Sequence, residues 1–165
     1  MIIDTLESSE LFAGLGRSHL EKVSVLCRGG SYKEGAMIFK EGDEAAELYI
    51  LTEGQVALEM KVQPVPNLPA IPTAVEVVTK GGCLGWSALV EPYVYTLSAR
   101  CMTNCTVLAI KGDMLQKTMA ADPVLGYEVM KRLARVISLR LTYTRLRLTS
   151  GLGLVLLGRE MGTSK

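Results

Sequence analysis

Apolar positions change their period twice along this chain. Between residues 18 and 26, Leu20, Val23, Val25 and Leu26 recur at helical spacing behind Ser18, and Glu21 follows three residues after the serine. That spacing is a capping box, so a short helix is expected to start at Ser18 and to stop before Gly29-Gly30. From Ser31 the period drops to two. Tyr32 and Met37-Ile38-Phe39 predict short strands around a Glu34-Gly35 turn. Glu41-Gly42-Asp43 reads as a turn, residues 48–51 as a strand, Glu53-Gly54 as a tight turn and residues 55–62 as the next strand. Residues 61–73 hold Pro64, Pro66, Pro69 and Pro72 and predict an extended surface loop, because proline cannot donate to a β ladder. Strand patterning returns over residues 74–80, 93–99 and 101–110, and on the last of these Cys101 and Cys105 would share one buried face. Many short strands between glycine turns predict an antiparallel sandwich or barrel.

Helical spacing resumes at Asp113. Residues 113–120 predict a short helix, and Pro123 opens a long one. Met130, Ala134, Ile137, Leu141, Thr144 and Leu148 alternate steps of four and three, which is an a/d seam suited to dimerisation. Val129, Val136, Leu139, Tyr143 and Leu146 form a second stripe. Two stripes suit a helix packed on two bodies: its own β domain and the same helix of a second copy. A single wide face in a monomer core is the alternative. Lys131, Arg140, Arg145 and Arg147 flank the seam, where a parallel twin would bring like charges together. Gly151, Gly153 and Gly158 are expected to end the helix, leaving an apolar tail over residues 152–157 that needs cover. The division expected is a β domain with N-terminal helices over residues 1–122, then the long helix and tail over residues 123–165.

Composition narrows the function classes. At 165 residues and 48% hydrophobic, the chain can bury a sizeable core, which excludes intrinsic disorder. The net charge of +1 implies no polyanionic partner, although 8 basic and 2 acidic residues follow Asp122, against 10 and 15 up to it. Cys27, Cys83, Cys101 and Cys105 are scattered, and His19 is the one histidine. These spacings predict reduced, buried thiols, no metal site, and an exposed His19. The opening MIIDTLESSELF has acidic residues and no basic one, so it is not a secretory signal, and no apolar run reaches membrane-spanning length. A cytoplasmic protein without membrane contact is expected. No nucleophile–base set, paired carboxylates or metal spacing is found, so the expectation is a non-enzyme.

The candidate chemistry lies between Gly81 and Ala99. Gly81-Gly82 and Gly85 precede Trp86-Ser87-Ala88-Leu89, followed by Glu91-Pro92 and an alternating run. A glycine before one helical turn leaves backbone N–H groups at Ser87, Ala88 and Leu89 as a nest for an anion. A plain surface turn is the other reading. The order of elements, with Gly35, Ile38-Phe39-Lys40-Glu41-Gly42-Asp43 and Tyr49-Ile50-Leu51-Thr52-Glu53-Gly54-Gln55-Val56, resembles the first half of the cyclic-nucleotide-binding domain family. Gly81-Gly82-Cys83-Leu84-Gly85, Ala88-Leu89, Pro92 and residues 96–99 resemble its phosphate-binding cassette. The resemblance spans residues 11–147. It implies an α+β fold: an antiparallel β-roll or jelly-roll barrel with short N-terminal helices and a long C-terminal helix.

The same resemblance implies two recognition side chains, a glutamate after the cassette glycine for the ribose and an arginine after the proline for the cyclic phosphate. Those positions hold Trp86 and Tyr93. Trp has one donor and no acceptor, and Tyr is uncharged at neutral pH. Two lost charged hydrogen bonds at roughly 1.5–3 kcal/mol each weaken binding by roughly a hundredfold to ten-thousandfold. Ala45-Ala46 departs from the small–acidic pair of the family turn, and neither Arg100 nor Glu91 has the parity to substitute directly. The candidate ligand set is therefore Gly85, Trp86, Ser87, Ala88, Leu89, Tyr93, Tyr95 and Thr96. Its aromatic members suit either a different ligand, flatter or less charged, or a pocket closed by its own side chains, and the ligands expected are a cyclic nucleotide or another small anionic or aromatic molecule. The expectation is a non-catalytic regulatory sensor without the usual cAMP and cGMP contacts. The alternative is a ligand-free dimerising scaffold. A homodimer and a regulatory partner protein are the partners expected. The sequence runs out at Lys165, so no DNA-reading helix-turn-helix is expected after the long helix.

Overall fold

The computed structural model describes residues 1–63 and 66–162, with side chains through residue 146. Two short helices, α1 (Ile2–Glu7) and α2 (Arg17–Ser24), lead the chain. Gly16, not Ser18, sets the start of α2. Its backbone is extended, and its carbonyl accepts from the N–H groups of His19 at 3.0 Å and Leu20 at 3.1 Å. The Ser18 capping box therefore does not form, because the glycine carbonyl has already opened the helix. His19 is not the exposed residue expected either. Its side chain is 21% exposed, with Nε2 3.4 Å from Asp122 Oδ2.

Eight strands follow: β1 (Cys27–Tyr32), β2 (Met37–Phe39), β3 (Glu47–Glu53), β4 (Val56–Val62), β5 (Ile71–Val78), β6 (Cys83–Leu84), β7 (Ser98–Cys101) and β8 (Cys105–Lys111). They form two antiparallel sheets in the orders β1-β8-β3-β6 and β2-β7-β4-β5, which is a jelly-roll arrangement. Three expectations are corrected. The strand expected over residues 101–110 is two strands in different sheets, joined by the turn at Met102–Asn104. Cys101 and Cys105 thus lie on separate strands, though both are buried. The turn folds tightly over Gly54 (φ +91°), where a Cβ would lie 2.4 Å from the Asn104 carbonyl. The strand expected over 74–80 starts earlier, at Ile71. Pro72 is tolerated because β5 is an edge strand, paired to β4 alone. Of the strand expected over 93–99, only Ser98 and Ala99 join a ladder. Tyr93 adopts φ +56°, which breaks the extended run, and Val94 makes one isolated bridge to Glu44.

α3 (Gly112–Ala121) and α4 (Pro123–Gly162) complete the chain. Residues Met1–Leu133 form one compact unit and Ala134–Lys165 a second. In the first unit, Leu6, Leu11 and Phe12 from the N-terminal segment meet Leu48, Ile50 and Ile110 from the sheets and Leu115, Leu125 and Leu133 from the helices, in one continuous core. In α4, Met130, Ala134, Ile137, Leu141 and Thr144 are exposed, whereas Val129 and Val136 of the other stripe are buried and Leu139, Tyr143 and Leu146 are exposed. Gly151, Gly153 and Gly158 fall inside α4 and do not end it. A helical glycine costs only about 1 kcal/mol relative to alanine, too little to stop a helix alone. Leu148 and the apolar tail lie outside the described side chains. Among the described residues, no helix is long and apolar enough to cross a membrane, and no cluster suits a metal ion.

Candidate functional site

The cassette is held at its entrance by a residue far away in sequence. The Glu10 carboxylate accepts from the Cys83 N–H at 3.0 Å, and the Glu10 N–H donates to the Gly81 carbonyl at 3.0 Å. β6 then pairs Cys83 and Leu84 with Ile50 and Tyr49 of β3. Gly85 turns left-handed (φ +74°), and a short 3₁₀ turn, Trp86–Leu89, follows. Ala88 and Leu89 face the core, Trp86 is half-buried against it, and Ser87 is half-buried. The Ala88 N–H donates to the Gly85 carbonyl at 3.1 Å, so one of the three donors expected in the anion nest is engaged within the turn. The Ala88 carbonyl accepts from Gln116 Nε2 of α3 at 3.0 Å. Gly112 allows this approach, since a Cβ there would lie 2.3 Å from the Ala88 oxygen.

The two tyrosines part company. Tyr93 is 37% exposed and Thr96 is exposed, whereas Tyr95 is 5% exposed. The Tyr95 ring stacks on Phe39 with centroids 4.0 Å apart at 14°, and Phe39 stacks on Tyr49 at 5.8 Å and 21°. The Tyr95 hydroxyl donates to the Glu47 carbonyl at 2.6 Å and accepts from the Glu47 N–H at 3.3 Å. Burial pushes the Tyr95 phenol above its ordinary pKa, and burial raises Tyr49 further, with the nearby Tyr95 and Glu47 groups adding to it. The Glu47 carboxylate accepts from the Tyr49 hydroxyl at 3.2 Å and pairs with Arg28 at 2.8 Å.

Space beside the cassette glycine is used up. A Cβ on Gly85 would lie 3.0 Å from the Glu47 carbonyl, 3.2 Å from the Tyr95 ring and 3.3 Å from the Phe39 ring. At the edge of the stack a cleft of about 460 Å³ opens, lined by the three rings with Asp43, Glu44, Glu47 and Asp113 against a single Lys111. Its charge has the wrong sign for a phosphate. Arg100 gives no help, because its guanidinium binds the nearly buried Glu59 carboxylate, and that bond pushes the Arg100 pKa up. Glu91 is exposed. Phe39, Tyr49, Glu47 and Glu10 are the site residues that sequence reasoning missed. The first two carried a signal, as aromatic residues in short strands flanking a turn. Glu10 carried none.

Residues 30–122, more than half of the chain, match the sequence profile of the cyclic nucleotide-binding domain. The chain belongs to that family. Among solved structures it is similar to a protein from Geobacter metallireducens GS-15 described as a cyclic nucleotide-binding protein. The identity is 28% and the TM-score 0.71, over 86% of this chain and 98% of that one. It is also similar to the N-terminal domain of a transcriptional regulator from Streptomyces coelicolor A3(2), at 24% identity and TM-score 0.67, over 90% of this chain and 94% of that one. A third is the regulatory subunit of a cAMP-independent protein kinase A from Trypanosoma brucei, as a triple mutant bound to cAMP. There the identity is 17% and the TM-score 0.73, over 90% of this chain and 50% of that one. Among curated proteins no match was found.

Proposed function

We propose that this domain is a non-catalytic, cytoplasmic regulatory sensor that does not take cAMP or cGMP in the family's usual way. One observation carries the reading: the Tyr95 ring, stacked on Phe39 and bonded to Glu47, lies against Gly85 where a nucleotide's sugar–phosphate would approach the cassette. The missing charges point the same way. Trp86 and Tyr93 replace the carboxylate and guanidinium, and the adjoining cleft carries four carboxylates. The trypanosome kinase subunit is a supporting parallel: it is described as cAMP-independent, and its cAMP-bound form is a mutant in which one substitution introduces an arginine. Calorimetry of cAMP and cGMP against the purified chain is expected to give no saturable heat below about 1 mM ligand. A micromolar dissociation constant would overturn the reading.

A dimerising role is supported by the seam of α4, where Met130, Ala134, Ile137, Leu141 and Thr144 stand exposed along one line. A second copy covers this seam, and the basic residues flanking it make the dimer stronger in salt. Ile137→Glu is expected to give monomer in light scattering, because a charge in the seam must be desolvated. A monomeric unmutated chain at high concentration would sink this part.

A further inference from the structure

Tyr95 is a core residue delivered by a surface loop. Residues 91–94 and Thr96 are exposed on either side of it, and only its ring enters. The slot it occupies has three walls. Phe39 offers a ring face at 4.0 Å, nearly parallel. Gly85 offers bare backbone, where a Cβ would lie 3.2 Å from the Tyr95 ring, tighter than an ordinary contact. Glu47 offers a carbonyl at 2.6 Å and an N–H at 3.3 Å, both taken up by the hydroxyl. A slot of this kind selects a flat, uncharged ring that ends in one group able both to donate and to accept.

Beyond that wall lies the contact with the helical part. Gly85 begins the 3₁₀ turn, and Ala88 of the same turn meets α3 through Gln116 and Gly112. We infer that Tyr95 is a tethered ligand: its phenol fills a binding slot for small uncharged phenols and thereby holds the Trp86–Leu89 turn against α3. This rests on the reading that no cyclic nucleotide enters the site. A free phenol reaches the slot only when the Tyr95 ring has left it, and once there it makes the same stack and the same pair of hydrogen bonds to Glu47. A phosphate is excluded because none of the slot's walls carries a cation.

Tyr95→Ala keeps the Cβ and removes one phenol's worth of atoms, so chemical rescue is the direct test. The full chain is compared as wild type, Tyr95→Ala and Tyr95→Phe, with phenol or benzene at millimolar concentration. Amide exchange and thermal melting are followed. Tyr95→Ala is expected to melt lower and to raise exchange at Ala88 and residues 112–116 by about tenfold or more. Phenol restores both saturably. Benzene fills an apolar hole but leaves the Glu47 pair bare, and so restores less. Neither compound changes wild type or Tyr95→Phe, whose slots are filled. The proposal fails if phenol gives no saturable rise in melting temperature, or binds without restoring protection in α3. It also fails if phenol protects α3 equally in Leu51→Ala, a core cavity at a fully buried position on β3. Should Tyr95→Ala not fold, Tyr95→Leu leaves a shallower slot for the same measurements. Cyclic AMP calorimetry on wild type tests the underlying reading separately, since it involves neither phenol nor α3 exchange.

Discussion

Gly85→Ala measures how hard the aromatic stack presses on the cassette. Two costs add. The residue sits at φ +74°, a region where an L side chain costs about 1–2 kcal/mol. Its new methyl would also lie 3.0–3.3 Å from the Glu47 carbonyl, the Tyr95 ring and the Phe39 ring, and overpacking of that kind costs about 1–3 kcal/mol. The expected loss is therefore about 2–5 kcal/mol, or roughly 5–15 °C in Tm for a domain of this size. Gly35→Ala is the matched control. It has φ +80° but nothing within 4 Å of the added methyl, so only the conformational cost applies, about 1–2 kcal/mol. Chemical and thermal denaturation of both variants isolates the packing part as their difference, about 1–3 kcal/mol. In a Tyr95→Ala background that difference should shrink without vanishing, because the Glu47 carbonyl remains in place. If Gly85→Ala and Gly35→Ala lose equal stability, the rings do not press on the cassette glycine and the filled-site reading is wrong.

Two further outcomes follow from the charges. Arg100→Ala leaves the nearly buried Glu59 carboxylate without its cation, so its urea midpoint should fall further than that of the Arg100→Ala/Glu59→Gln double variant; the opposite order would show that the pair does not matter. Asp122 is held below the usual carboxylate range, first by the hydrogen bond from Lys22, then by the Leu125 N–H it caps. A depressed carboxyl stabilises the fold above its unfolded value of about 3.9, and that contribution is lost as pH falls through the lower folded value. Asp122→Asn should therefore be less stable than wild type at pH 7, with the gap closing as pH falls below the ordinary carboxylate range; a gap independent of pH would refute it.

The strands around Gly54 were legible because period-two patterning and a glycine turn say the same thing twice. The reading failed where two local signals competed. Ser18 and Glu21 make a sound capping box, but the carbonyl of Gly16 opens the helix first. Residues 93–99 alternate as a strand does, yet Tyr93 turns left-handed, and parity counted through it no longer tells which ring goes inward. That is why Tyr93 and Tyr95 stood together as candidates when one faces solvent and the other the core. The glycine before one helical turn was readable from the residues themselves, and Gly85 does turn left-handed ahead of the 3₁₀ turn. The partners that fill the space beside it, Phe39 from β2 and Tyr49 and Glu47 from β3, come together only when two sheets close, which no local pattern records.

The Glu10 clasp bears on where this domain can be cut. The match to the family's sequence profile begins at residue 30, and a recombinant fragment drawn to that boundary would look complete. It would lack Leu6, Leu11, Phe12, Leu20 and Val23, all almost fully buried, and with them the carboxylate that receives the Cys83 N–H. Such a fragment would keep every cassette residue and lose the anchor that aims them. A truncation series crossing Glu10 should show cooperative melting fail before any cassette residue is removed.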